Sequence, residues 1–349
     1  MKVSNHYVPQ FYLRNFSSDK KSVGIYNLKH GRYVKAASIK KQACKDFLYG
    51  EDNQIEDLFM EIENSASRLI RSIKELQKVP PIESEDYHLL IVFMLLSEAR
   101  NLKSADSFNN LIDIQMKTIM RMKMDHGEDF GFPPDFLEKT SLSASIPNLM
   151  PIQSTIESYP VLLDLKCCLV VNKTDRQFIT SDNPLVRYNL MYIKRRYYLR
   201  GFGLGNMGIQ LFYPISPELC ICIYDDVLYD CVLENGNIVI RKARYIDEMN
   251  KLFYLNSYQT LFFSELTKES YIRKIVGSIL HTNSNVEAEV RTFGTSDNKF
   301  IIYSQGWVNE FINLGMFTVN RKFINMPLPL HMAGPMRPYT EKYINSGGQ

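Results

Sequence analysis

Apolar positions in the first half of the chain recur at helical spacing. Ile55, Leu58, Phe59, Ile62, Ala66, Leu69, Ile70 and Ile73 fall on one stripe, which predicts an amphipathic helix capped by Asn53 and ended by Val79-Pro80-Pro81. Ser84 then reads as the cap of a second helix, with Glu85 and Asp86 in the first turn, where the helix dipole favours acids. Its run from Leu89 to Leu96 is apolar all round, as in a buried helix. A third helical stretch is expected from about Phe108 to Met124, with Met116, Met120, Met122 and Met124 as core filler. Ahead of these, Pro9 suits the start of a short helix carrying Phe11, Leu13 and Phe16. Ser22 to Tyr26 and Arg32 to Ala36 then read as a hairpin.

The pattern changes near residue 125. Residues 126–160 hold five prolines and no long periodicity, and read as a linker. Beyond it come short strand patterns: Leu162 to Val171, Gln177 to Thr180, Tyr197 to Arg200, Ile209 to Tyr213, Leu219 to Tyr224, Ile238 to Arg241 and Thr260 to Phe263. Ala243 to Asn256 and Leu266 to His281 read as helices. The expected class is α+β, a helical N-terminal half with a small β-hairpin packed on a mainly antiparallel sheet in the C-terminal half. The expected divisions are 1–125, 126–160, 161–326 and a C-terminal arm at 327–349.

Composition narrows the function classes. The chain has 349 residues, 45% apolar and 23% charged, enough apolar surface for a sizeable core. No apolar run reaches the roughly 18 residues of a membrane helix, and the start lacks a signal-peptide pattern. A cytoplasmic protein with no membrane partner is expected. Six cysteines and six histidines are scattered without the spacing of a zinc site, so no zinc is expected, and Cys220 and Cys222 read as packing residues.

Charge is unevenly spread on a chain of net charge +3. Residues 1–50 carry ten Lys and Arg against two acids, whereas residues 51–100 carry five against eleven. A third stretch, 183–217, holds Arg187, Lys194, Arg195, Arg196 and Arg200 with no acid. The basic stretches are either a polyanion surface or partners of the acidic helix.

The opening run Asn5-His6-Tyr7-Val8-Pro9-Gln10-Phe11-Tyr12-Leu13-Arg14-Asn15-Phe16 is distinctive. It resembles the signature of a bacterial family known as domain of unknown function 4238. Phe178-Ile179-Thr180-Ser181-Asp182-Asn183-Pro184, Phe212-Tyr213-Pro214-Ile215-Ser216-Pro217 and Asn250 fit the same family in order, although it usually has Phe-Pro where this chain has Phe212-Tyr213-Pro214. The resemblance implies a role in anti-phage defence, because family members occur as single-gene defence systems, but it implies no particular reaction.

Candidate chemistry collects on two of these segments. His6, Gln10 and Arg14 are spaced at four, so with a helix from Pro9 they share a side. An imidazole, an amide and a guanidinium there suit a phosphate or carboxylate, with His6 as a general base, or simply cap and tie the helix. Asp182 and Asn183 close a strand before Pro184; the carboxylate suits a general base or a Mg or Mn ligand, and the pair equally suits an Asx turn. The expectation is that His6, Gln10 and Arg14 meet Asp182 and Asn183 in one cleft as a catalytic set. Lys194, Arg195, Arg196, Tyr197 and Arg200 are the candidates for nucleic-acid binding by charge and stacking.

Three look-alike motifs lack their context. Asp164-Leu165-Lys166 is half of a restriction-type nuclease site, but no second acid sits at a preceding strand start. Gly203 to Gly208 spells a dinucleotide fingerprint, but a strand pattern follows where the cofactor needs a helix, so no NAD site is expected. Gly347-Gly348-Gln349 ends the sequence rather than lying in a held loop. Glu98 and Arg100 are expected to turn inward as a buried polar pair. The sequence therefore points to a defence effector, a hydrolase or nuclease acting on nucleic acid or nucleotides. The alternative is a non-enzymatic sensor of a phage protein or nucleic acid. A homo-oligomer fits either.

Overall fold

The computed structural model describes residues 4–50, 54–133, 135–195, 201–281, 289–293, 300–304, 308, 310–326 and 334–347, with side chains described outside 289–304. The chain opens with β1 (Ser4–His6) and the short helix α1 (Gln10–Arg14), for which Pro9 is the N-cap. β2 (Ser22–Asn27) and β3 (Arg32–Ser38) form the expected hairpin, and β4 (Cys44–Asp46) returns to pair with β1. The pairing of β1 with β4 was not legible, because three polar-flanked residues carry no alternation.

Helices α2 (Gln54–Leu76), α3 (Glu85–Ala99) and α4 (Leu102–Asp125) follow. Ser84 caps α3 as expected, its hydroxyl accepting from the Tyr87 N–H at 3.2 Å. Leu90, Ile91, Phe93, Met94, Leu95 and Leu96 are all buried, which makes α3 the central helix of this half. α4 begins six residues earlier than its apolar pattern. Asn101 caps it by accepting from the Ser104 N–H at 2.9 Å, so a polar run that shows no periodicity is helical. Its later methionines are not core filler: Met116 and Met124 are exposed. The stretch read as a linker holds α5 (Phe136–Lys139) and α6 (Leu149–Ser158), the latter packed on α3.

The second half contributes β5 (Lys166–Asn172), β6 (Thr180–Ser181), β7 (Val186–Tyr188), α7 (Leu190–Lys194), β8 (Gln210–Ser216), β9 (Leu219–Tyr224), β10 (Tyr229–Asp230) and β11 (Ile238–Ile240). It continues with α8 (Ala243–Asn256), β12 (Thr260–Phe263), α9 (Glu269–Ser278), β13 (Glu289–Phe293), β14 (Phe300–Ser304), β15 (Thr318–Val319) and α10 (Pro338–Asn345). β5 starts four residues later than its apolar pattern because Tyr159–Leu162 is a 3-10 turn. Tyr197 to Arg200, expected as a strand, lies outside the described residues.

Two sheets organise the fold. The first runs β11-β5-β9-β8-β7 and is antiparallel except for the β11–β5 pair. One face, with Leu169, Leu211, Tyr213 and Ile221, joins α3 in a core that includes Tyr12 and Phe93. The other face, with Cys168, Val170, Phe212, Cys220 and Cys222, packs with Leu252 and Phe253 of α8. β8 and β9 are buried along their whole length, so the sheet is a middle layer between two helical layers.

The second sheet runs β3-β2-β12-β6. The N-terminal hairpin therefore continues directly into strands of the C-terminal half, with Ile25 opposite Phe262 and Leu261 opposite Ser181. The protein is α+β, and its halves share a sheet as well as a core.

The arm is partly docked. Arg337 is 3% exposed; it donates to Asp164 Oδ2 at 2.8 Å, to the Leu204 and Asn206 carbonyls at 2.8 and 2.9 Å, and to the Val161 carbonyl. The glycine loop at 203–208 closes around this residue, and a Cβ on Gly205 would sit 2.5 Å from Thr340 Cγ2. Strand β8 follows that loop, so no helix N-terminus meets the glycines.

Candidate functional site

β1 delivers His6 to the foot of α1, and the helical turn sets Gln10 and Arg14 in line beyond it. Arg14 donates to Gln10 Oε1 at 3.0 Å, and Gln10 Nε2 lies 3.3 Å from His6 Nε2. That imidazole nitrogen also lies 3.2 Å from the Lys40 carbonyl. The amide wants an acceptor there and the carbonyl a donor, so a neutral ring satisfies one of the two at a time. The three residues form a ladder on a partly exposed surface.

Cations surround this ladder. α1 packs on the 3-10 turn Ile39–Lys41, and Lys20 Nζ donates to the Arg14 carbonyl at 3.2 Å. Arg14, Lys20, Lys21, Lys40, Lys41 and Lys45 are all exposed. Among the described residues none of them is in an ion pair. Of the acids on α2, Glu63 pairs with Arg100 at 2.7 Å, and Glu56 accepts from Asn5 at 3.3 Å.

Asp182 and Asn183 lie in the interior. Asp182 Oδ1 accepts from the Tyr258 N–H at 2.8 Å, and Oδ2 accepts from the Gln259 and Thr260 N–H groups at 2.7 and 3.0 Å. The carboxylate thus holds the turn that leads from α8 into β12. Asn183 accepts from Asn101 Nδ2 at 2.8 Å and donates to the Asn256 carbonyl at 3.0 Å, while Asn256 returns a bond to the Asn183 carbonyl at 2.7 Å. These bonds tie the first turn of α4, the β6 exit and the end of α8 together. The Gln10–Arg14 bonds and the Asp182–Asn183 bonds thus run to different partners. The N-terminal residue whose ionisation feels Asp182 is Tyr7: burial, then the Asp182 charge, push its hydroxyl up.

The groups gathered near Asp182 carry no recognisable sequence pattern. Burial pushes its carboxyl up to about 6 against the three backbone donors. The side chain of Lys103, 6% exposed, makes no hydrogen bond or ion pair among the described residues. Burial lowers its ammonium to about 8, although Glu98 and Asp182 pull it up. Burial also lowers His281, whose Nε2 lies 3.0 Å from the Ser257 carbonyl. Tyr258 donates to Asp106 Oδ2 at 2.6 Å. Only the polar run at 101–107, with no apolar period, could have drawn attention to Lys103.

Glu98 and Arg100 do turn inward, but to separate partners. Glu98 takes a forked bond from Arg187, with Nε 3.0 Å from both carboxylate oxygens. Arg100 reaches Glu63, the His6 carbonyl at 2.6 Å and the face of Phe59. Of the basic loop, Lys194 ends α7 in an exposed position and Arg195 donates to the Met326 carbonyl, while Arg196, Tyr197 and Arg200 lie outside the described residues.

Among the described residues no three His, Cys, Asp or Glu side chains are grouped to share a metal ion. No described helix is long and apolar enough to cross a membrane. The family described as a protein of unknown function, DUF4238, matches residues 4–267, and the chain belongs to it. No curated protein and no solved structure matches the chain.

Proposed function

We propose that this is a cytoplasmic anti-phage defence protein that engages nucleic acid through the basic surface around the His6–Gln10–Arg14 ladder. The defence role rests on the family resemblance. The observation that carries the nucleic-acid reading is that Arg14, Lys20, Lys40 and Lys41 are exposed and make no ion pair among the described residues, beside a His–Gln–Arg row. Unpaired cations on one surface favour a polyanion, and each phosphate contact releases counterions. The reading favours binding over hydrolysis at Asp182, because that carboxylate accepts three backbone N–H bonds.

Anisotropy titrations of duplex DNA, single-stranded DNA and RNA between about 50 and 200 mM salt test this. Binding that weakens steeply with salt, with a shallower slope in Arg14→Glu and in the double variant Lys40→Glu, Lys41→Glu, is expected. Salt-independent binding, or slopes unchanged in both variants, would sink it.

A hydrolytic reading has one observation on its side. Asp182, Lys103 and His281 have shifted ionisation and lie near one another, as catalytic groups commonly do. Turnover of nucleic acids or nucleotides, with or without Mg²⁺ or Mn²⁺, that is lost in a folded Lys103→Met variant would move the weight to it.

A further inference from the structure

Phe47 is the residue at which the chain leaves β4 and turns into the core. Leu48 and Tyr49 are buried directly after it, and the Tyr49 hydroxyl donates to the Arg100 carbonyl at 2.8 Å. The Gly50 N–H closes the turn by donating to the Phe47 carbonyl at 3.2 Å, and Phe47 is held at φ 54°. That left-handed region suits glycine or asparagine and is an outlier for a bulky side chain. No contact of the ring offsets this. It is 46% exposed, belongs to neither hydrophobic core, and makes no aromatic or cation–π contact among the described residues.

Phe47 also ends a line of cations. Lys40 and Lys41 adjoin the His6–Gln10–Arg14 row, since the Lys40 carbonyl lies 3.2 Å from His6 Nε2. From Cys44, opposite His6, β4 leads away from α1 through exposed Lys45 to Phe47, roughly 10 Å further on at the rise of a strand. Between Asp19 and Gly50 the sequence has eight Lys and Arg and one acid, Asp46, so a polyanion lying along this line meets a single like charge. Three of the five described non-glycine residues with left-handed backbone, Lys20, Ala43 and Phe47, fall in the same stretch. Strain of that kind collects at functional surfaces.

We infer, resting on the nucleic-acid reading of this surface, that Phe47 is a base-stacking platform and that the polymer engaged is a single strand. The cations hold phosphates of an extended strand, and the exposed ring takes the face of one base. Every base has such a face, so the site tolerates any sequence. In a duplex the faces of internal bases are covered by neighbouring bases, and the ring meets only sugar and phosphate. Single-stranded DNA and RNA share this chemistry, and separate arms of the test distinguish them.

Anisotropy titrations of the full chain compare labelled oligothymidylate, oligouridylate and a duplex with the same number of phosphates. At least one single strand should bind more tightly than the duplex, and the tighter of the two tells DNA from RNA. Glycine suits the backbone at position 47, so Phe47→Gly should melt no lower than the wild type. Its affinity for the single strand should fall about fivefold or more, the worth of one stacked base. Its salt slope should stay unchanged, because a stacked ring neutralises no phosphate. Phe47→Trp keeps the stack and should bind at least as tightly as the wild type, with its added fluorescence quenched by the strand. Equal single-strand affinity of Phe47→Gly and wild type, or a duplex that binds more tightly than either strand, would overturn the inference. If Arg14→Glu and the Lys40→Glu, Lys41→Glu variant still flatten the salt slope in that case, the nucleic-acid reading stands without it. A Phe47→Gly loss that also flattens the slope would overturn it too, since the loop rather than the ring would be at fault. Absence of binding to all three nucleic acids removes both.

Discussion

The hydroxyl of Tyr12 lies 2.6 Å from the hydroxyl of Thr180, and it also donates to the Pro214 carbonyl at 2.6 Å. One buried side chain thus joins three of the segments by which the chain resembles its family. Asn250 adds the fourth: it accepts from the Ile179 N–H at 3.1 Å and donates to the Gln177 carbonyl at 2.8 Å. These motifs are bonded to one another across the layers of the fold, which accounts for their spread along the sequence without assigning them to chemistry.

Tyr12→Phe keeps the ring but leaves the buried Pro214 carbonyl without this donor. A loss of about 1–3 kcal/mol in urea unfolding is expected. Nucleic-acid binding by the folded fraction should be unchanged, because the hydroxyl is buried. Unaltered stability would mean that this junction does not hold the layers together.

Arg100 is the corresponding tie in the helical half. It is 3% exposed and links the end of α3 to Glu63 of α2 and to the His6 carbonyl of β1. Arg100→Ala strands a partly buried carboxylate and should cost about 3–5 kcal/mol. The double variant Arg100→Met, Glu63→Leu removes both charges and should recover much of the loss. Equal losses in the single and double variants would show that packing on Phe59, rather than the ion pair, sets the cost.

Asp182 makes stability depend on pH in an unusual sense. Its folded-state pKa, about 6, lies above the ordinary value of 3.8. A raised acid binds protons more tightly when folded, so its contribution is complete below the ordinary value and is lost as pH rises toward 6. Unfolding free energies of the wild type and Asp182→Asn between pH 4 and pH 6 isolate the effect. The wild type should lose stability relative to the variant over that window. A difference that stays constant across it would refute the raised pKa.

The parts of this architecture that are local could be read from the sequence. Ser84 caps α3 through a bond three residues away, and the stripe from Ile55 to Ile73 needs only its own helix. Placement of the candidate site was not local. Asp182 looked like a carboxylate at a strand end, open to a ligand, and its partners sit at 258–260, on a turn that only the folded sheet brings near. Asn101 gave no signal as a helix start because the residues after it carry no apolar period, and its amide bonds to Asn183 across the fold. The basic balance of residues 1–50 was plain, but whether the acidic helix neutralises it depends on where Glu63 and Glu56 point.

Lys103 separates a structural interior from a functional one. A largely buried ammonium with no direct bond to another described residue costs stability. Burial holds its pKa near 8 against the ordinary 10.5. A depressed base contributes fully above its ordinary value, and that contribution is lost as pH falls through the folded value, so the penalty is in force at pH 7. Lys103→Met fills the same space without charge and should stabilise the protein by on the order of 1 kcal/mol or more near neutrality. The gain should shrink as pH rises from about 8 toward 10.5. Thermal melts of both proteins across that range read it directly. A variant that is more stable yet loses defence against phage would place Lys103 in function, since stability is commonly given up where activity needs a strained group. A variant less stable at every pH would show instead that the lysine stem packs to structural effect.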